Sequence, residues 1–247
     1  MARYSFMTQK TPSGFYLFTK RMFDLMLALV GFIIISPLFL CIMILLKVTG
    51  EKEIFYLQER MGLNNKPFYI YKFATMLKDS PNMGNKTLTV RNDPRITKVG
   101  RILRITKINE LPQILNVIKG DMSLVGPRPL LVKSFQNYTP EVQAVIYKNR
   151  PGITGLGSLV FRDEERLVTA YKKLGKDPVQ YYRTYIYPYK GALEQWYYHN
   201  ASMLVDFKIL FLTFWSLVNS NSEMVYKTFN NLPVKPASLT LLGIKEL

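Results

Sequence analysis

Two short runs of this chain bring together residue types suited to phosphate chemistry. In Asn109-Glu110-Leu111-Pro112-Gln113, an amide and a carboxylate stand side by side ahead of an apolar, helix-periodic stretch. Asn109 is placed to cap that helix, Glu110 falls in its first turn, and Pro112 is tolerated because its missing N–H would find no partner there. Capping alone accounts for the pattern. The same geometry also turns free N–H groups and the positive end of the helix dipole outward, which suits a phosphate or an ionised carboxylate. In Gly126-Pro127-Arg128-Pro129, two prolines stiffen the backbone around one arginine. Its guanidinium is thereby pre-positioned for bidentate contact with phosphate oxygens, although a rigid turn with a surface arginine is the simpler account.

Composition removes several other chemistries. One cysteine, Cys41, leaves no intramolecular disulfide and no thiolate cluster, and one histidine, His199, excludes a multi-histidine metal site and argues against a Ser-His-Asp triad. His199 reads as a partly buried member of the aromatic segment around Trp196, Tyr197 and Tyr198. Gly152, Gly155 and Gly157 lack the spacing of a dinucleotide fingerprint, and there is no Walker A pattern, so P-loop hydrolysis is dropped. With 33 Lys and Arg against 17 Asp and Glu, the formal charge of +16 favours anionic partners: phospholipid head groups, nucleotide phosphates or nucleic acid.

The elements that must position these residues are partly legible. From Leu25 to Leu46 no residue is charged, a length sufficient to span a bilayer, with Ser36-Pro37 at its centre. Proline removes an N–H and predicts a sharp bend there, with Ser36 available to satisfy a freed carbonyl. Each half is then only roughly 15 Å long. Basic residues flank both sides, Arg3, Lys10, Lys20 and Arg21 before and Lys47 after, so a helix that dips into one leaflet and returns keeps both flanks cytoplasmic, with an ordinary proline-kinked span as the alternative. Ile54-Phe55-Tyr56 and Phe68-Tyr69-Ile70-Tyr71 read as strands separated by turn signals at Gly62, Asn64-Asn65 and Pro67. Residues 79–95 read as a surface loop. Ile102, Leu103, Ile105 and Ile108 form an amphipathic stretch studded with arginine and lysine, suited to solvent or to anionic head groups. Leu111 to Lys119 is expected as a helix ended by Gly120. Residues 163–218 are expected mainly helical, with interruptions at Gly175, Pro178 and Pro188, and Met203–Val218 is expected either to lie at the interface or to close the core.

Taken together, NELPQ, GDMSLVG with Pro127-Arg128-Pro129, Lys20-Arg21-Met22-Phe23-Asp24, Gln58-Glu59-Arg60, Tyr71-Lys72-Phe73, Arg150-Pro151-Gly152-Ile153-Thr154-Gly155 and Leu204-Val205-Asp206-Phe207-Lys208 resemble the bacterial sugar transferases, the monotopic phosphoglycosyl transferases. The resemblance runs from about Lys20 to about Leu217. It implies an α+β, mainly helical fold with an N-terminal re-entrant membrane helix broken at Ser36-Pro37 and a small interfacial catalytic domain with amphipathic helices. The corresponding division is a cytoplasmic segment over 1–19, the membrane helix over 20–47, the catalytic domain over 48–220 and a tail over 221–247. The implied reaction moves a phosphosugar from a nucleotide sugar, UDP-linked in this reading, to a polyprenol phosphate, releasing UMP and initiating polysaccharide or glycoconjugate synthesis at the cytoplasmic face of the bacterial inner membrane. Nucleotide sugar, polyprenol phosphate and anionic phospholipid are the implied partners, nucleic acid is not, and self-association is left open.

By the same resemblance the catalytic acidic pair falls on Asn109 and Glu110, with Glu110 also the ligand for Mg²⁺. Substrate binding falls on Lys72, Arg104, Pro127, Arg128 and Pro129, and membrane insertion on Lys20, Arg21, Asp24, Ser36 and Pro37. Two positions depart from the family pattern. The usual nucleophilic Asp is Asn109, and the usual arginine of Lys-Phe-Arg-Thr-Met is Ala74. An amide oxygen carries no full negative charge, so three routes stay open: Glu110 as nucleophile, direct attack by the acceptor phosphate, or an inactive relative serving as partner or scaffold at the membrane.

Overall fold

The computed structural model describes residues 11–49, 51–80, 93–219 and 223–241. Most of the loop expected over 79–95, and parts of the N-terminal segment and of the tail, lie outside them. The described chain is mainly helical with two two-stranded sheets, and it forms two compact bodies.

The first body comprises Phe23–Glu59 and Phe68–Met122. The apolar run is helical throughout: α1 extends over Gly14–Val48 with Pro37 inside it, where the sequence suggested two halves. Proline leaves the carbonyl four residues earlier, that of Ile33, without its helical donor. Ser36 Oγ donates to that carbonyl at 2.7 Å, so the helix continues past the ring. At 1.5 Å per residue α1 is about 52 Å long. In its C-terminal half Phe39, Ile42 and Leu46 are buried and pack with Phe73 and Leu103, the Phe39 and Phe73 rings lying 4.9 Å apart. Ile33, Ile34, Leu38, Leu40 and Ile44 stay exposed, which makes α1 the one described helix long and apolar enough to cross a membrane.

The strands appear where aromatic and β-branched residues cluster: β1, Phe55–Met61, pairs with β2, Pro67–Phe73. Between them Asn64 and Asn65 take φ of 55° and 57°, a left-handed conformation that asparagine tolerates. The basic amphipathic stretch becomes α2, Lys98–Ile105, capped by Thr97, whose side chain accepts from the Gly100 N–H; Leu103 is buried, Ile102 and Ile105 exposed. The next helix begins later than expected. α3 covers Gln113–Lys119 and ends at Gly120 with φ of 100°. Pro112 has no N–H for a helical bond, so the turns before α3 close between residues three apart, Glu110 to Lys107 and Leu111 to Ile108.

The second body comprises Met1–Met22, Arg60–Pro67 and Ser123–Leu247. Here β3, Ser123–Val125, and β4, Gly152–Thr154, run parallel with Ser123 opposite Gly152. Short helices α4, Val132–Phe135, and α5, Pro140–Gln143, lie between them in sequence. After β4 come α6 (Leu156–Val160), α7 (Glu164–Lys173), α8 (Pro178–Tyr181), a π turn at Tyr182–Ile186, α9 (Tyr187–Asn200), α10 (Met203–Val218) and α11 (Glu223–Thr228). Gly175 and Pro178 separate α7 from α8 as expected. Pro188 does not end a helix; it sits in the first turn of α9, behind the π turn. Leu156, Ile186, Leu193, Ile209, Leu212 and Leu239 fill the core. α10 both closes that core and shows an apolar outer face: Val205, Asp206, Ile209 and Leu212 are buried, while Leu204, Phe207, Phe211, Phe214 and Val218 recur at helical spacing on the exposed side.

Candidate functional site

In the first body, Asn109 and Glu110 share a single 3₁₀ turn, Ile108–Glu110, that follows Lys107 in the left-handed region with φ of 61°. Asn109 is thus in the middle of a turn and caps no helix. The reversal at Lys107 turns the pair off the line of α2. Glu110 Oε1 lies 3.7 Å from Lys72 Nζ, both side chains being partly buried. Such a pair contributes under about 1 kcal/mol to stability, and its chief effect is to hold a carboxylate beside an ammonium.

Lys72 is positioned by β2, and β2 by Asn116. The fully buried Asn116 amide accepts from Tyr71 N at 2.9 Å and donates to Tyr69 O at 2.8 Å, so it pairs with the strand backbone on either side of Ile70. It also donates to Asp121 Oδ2 at 3.3 Å. Arg104, on α2, donates from Nε to Thr75 Oγ1 at 2.8 Å. Burial pulls the Arg104 guanidinium below its ordinary value and Arg95 adds to this, whereas Asp93 and Tyr56 oppose it. It remains cationic at any physiological pH. The Lys72–Glu110 pair and the Arg104–Thr75 bond are therefore both placed in this body.

The second body carries the Pro-Arg-Pro loop. Four consecutive carbonyls in it each accept a hydrogen bond: Pro127 from Gly152 N at 2.9 Å, Arg128 from Tyr147 Oη at 2.8 Å, Pro129 from Arg60 Nη1 at 3.2 Å, and Leu130 from Met61 N at 2.8 Å. Pro127 and Pro129 are buried and the Arg128 side chain is exposed. The loop also explains two glycines. A Cβ at Gly152 would strike the Gly126 N–H, and one at Gly155 would strike the Gly126 carbonyl, so the GDMSLVG and RPGITG runs meet backbone to backbone.

Lys20, expected at the membrane entry, is buried in the second body. Its Nζ donates to Asp206 Oδ2 at 2.8 Å, joined there by Tyr16 Oη at 2.8 Å, while Tyr197 Oη donates to Asp206 Oδ1 at 2.7 Å. This group ties the first turns of α1 to α10. Arg21 is half-buried, and Asp24 is buried within the first body. His199 is partly buried on α9 against the Tyr198 ring. Asn116 and Tyr147 carry no signal in the sequence, whereas Arg60 lies within Gln58-Glu59-Arg60 and Thr75 within the Lys-Phe-x-Thr-Met motif.

Residues 15–220 match the bacterial sugar transferase family. The chain belongs to it. This sugar transferase is 37% identical over 194 residues to the uncharacterized sugar transferase EpsL of Bacillus subtilis, covering 78% of this chain and 84% of that protein. It is 34% identical over 209 residues to the exopolysaccharide production protein ExoY of Rhizobium meliloti, covering 78% of this chain and 83% of the relative. It is 35% identical over 207 residues to the UDP-glucose:undecaprenyl-phosphate glucose-1-phosphate transferase of Escherichia coli, where the match covers 82% of this chain and 41% of the relative. This transferase thus spans some relatives nearly whole and under half of a longer one.

Proposed function

We propose that the protein transfers a phosphosugar from a UDP-sugar to a polyprenol phosphate, releasing UMP, at the cytoplasmic face of the bacterial inner membrane. The observation that carries this reading is the Lys72–Glu110 pair in a member of the sugar transferase family: a carboxylate held at 3.7 Å from an ammonium, on residues that the resemblance assigns to catalysis and substrate binding. The names of the Escherichia coli relative and of the Salmonella typhimurium undecaprenyl-phosphate galactose phosphotransferase, 34% identical over 210 residues, support the same reaction class.

Arg128, at the tip of the stiffened loop, is assigned to the nucleotide diphosphate, and Lys72 and Arg104 to phosphate oxygens. Glu110 is assigned as a carboxylate that would hold Mg²⁺ alongside the donor diphosphate, as the resemblance implies. When bound, the ion neutralises charge on the diphosphate. In the reaction an acceptor oxygen bonds to the sugar-bearing phosphorus, the phosphoanhydride bond breaks, and the anhydride oxygen leaves with UMP. Glu110 serves either as a transient nucleophile or by orienting the acceptor phosphate, since the Asn109 amide is no nucleophile. α1 is assigned a bend at Pro37, without loss of helix, that lets it enter one leaflet and return, keeping Lys20 and Lys47 on the cytoplasmic side.

Asn109 and Ala74 favour one rival, an inactive relative that acts as a membrane partner or scaffold. Incubation with Mg²⁺, polyprenol phosphate and a panel of UDP-sugars separates the two. Release of UMP supports transfer, release of UDP indicates ordinary glycosyl transfer, and release of neither supports the scaffold.

A further inference from the structure

We infer that Tyr147 is a positioning residue for the nucleotide: its phenol sets the backbone from which Arg128 reaches the donor diphosphate. This rests on the reading of Arg128 as the diphosphate contact. Arg128 is exposed, so its aim depends largely on the backbone beneath it. Tyr147 Oη donates to the Arg128 carbonyl at 2.8 Å and accepts from the Leu130 N–H at 2.9 Å. One hydroxyl therefore closes the loop across Pro129, a residue with no N–H of its own to offer.

The ring is itself immobilised. It is 1% exposed, packed with Met61, Phe135, Tyr138, Val142 and Ile146, its centroid 5.7 Å from that of Phe135. Burial holds the phenol far above its ordinary range, so the proton that bonds the Arg128 carbonyl is present at every working pH. Tyr147→Phe removes only this oxygen. A part-buried carbonyl and a part-buried N–H then lose their partner together, a cost the loop escapes by moving.

The test uses the full chain in detergent with UDP as probe. Tyr147→Phe is expected to weaken UDP binding on the order of ten-fold, leave the KM for polyprenol phosphate unchanged, and speed hydrogen exchange at the Leu130 amide. Unchanged UDP affinity in this variant overturns the inference while leaving Arg128 in place. Equal losses for UDP and acceptor, with a broadened unfolding transition, also overturn it, because Tyr147 would then merely hold the fold. Arg128→Lys tests the underlying reading separately: wild-type UDP affinity there, or no UDP binding by the wild type, removes that reading and the inference with it. Should Tyr147→Phe not fold, the wild-type protein decides. A Leu130 amide protected without UDP supports a pre-set loop, and one that exchanges freely until UDP is added overturns it.

Discussion

At the residue scale, the contrast between Asn109 and Glu110 governs the chemistry. A carboxylate paired with Lys72 can attack, orient or ligate, whereas the neighbouring amide can only hydrogen-bond. Glu110→Gln is expected to lower UMP release at least a hundred-fold, judged from the usual contribution of such groups. Asn109→Asp should preserve or raise it and yield a phosphosugar adduct by intact mass. Turnover that survives Glu110→Gln removes the pair from the mechanism. A second carboxyl, Glu194, behaves differently. It is buried on α9 with Oε2 lacking a hydrogen-bond partner, and burial pushes it from 4.5 up to about 7 against the opposing pull of Lys190. The folded state therefore holds this proton more tightly than the unfolded state. Stability from Glu194 is complete below pH 4.5, declines as pH rises, and is gone above about 7. Glu194→Gln should be near neutral at pH 5 and stabilising at pH 8 by on the order of 3 kcal/mol, the size of that shift. Equal unfolding midpoints for variant and wild type at pH 8 would contradict this.

At the element scale, α1 and α10 are joined through Asp206, which collects the Lys20 ammonium and the hydroxyls of Tyr16 and Tyr197. Breaking a buried ion pair from one side strands the other charge. Asp206→Asn is expected to cost about 3–5 kcal/mol, and Lys20→Met in the same chain should restore part of it. A double-mutant cycle with no coupling would show that the pair is spent on something other than holding these helices. In the motif Leu204-Val205-Asp206-Phe207-Lys208, the aspartate faces inward while Leu204 and Phe207 face outward. Helical periodicity explains why a charge is tolerated within so apolar a run.

At the scale of the whole molecule, the formal +16 and the basic residues on both sides of Leu25–Leu46 bear on topology. With Cys41 replaced by Ser, cysteines at Ser5 and Asn64 should both label only from the cytoplasmic side. Periplasmic labelling at Ser5 would instead make α1 a simple span, which its roughly 52 Å length permits. Replacing Pro37 with Leu should shift part of the population toward that span, because it removes the one residue that weakens the helix centre.

The sequence by itself determined the helix of α1, the β1–β2 hairpin, the Gly120 stop and the family, because periodicity, turn asparagines and motif spacing are local properties. It also placed Ser36 beside the carbonyl that Pro37 frees, a relation written within one helical turn. Tertiary structure decided the rest. That Asn116 grips β2, and that Tyr147 and Arg60 brace the Pro-Arg-Pro loop, depends on groups brought together from distant positions. A tyrosine in sequence carries no sign of which carbonyl it will meet. Only the packing that buries its ring fixes where its hydroxyl must go.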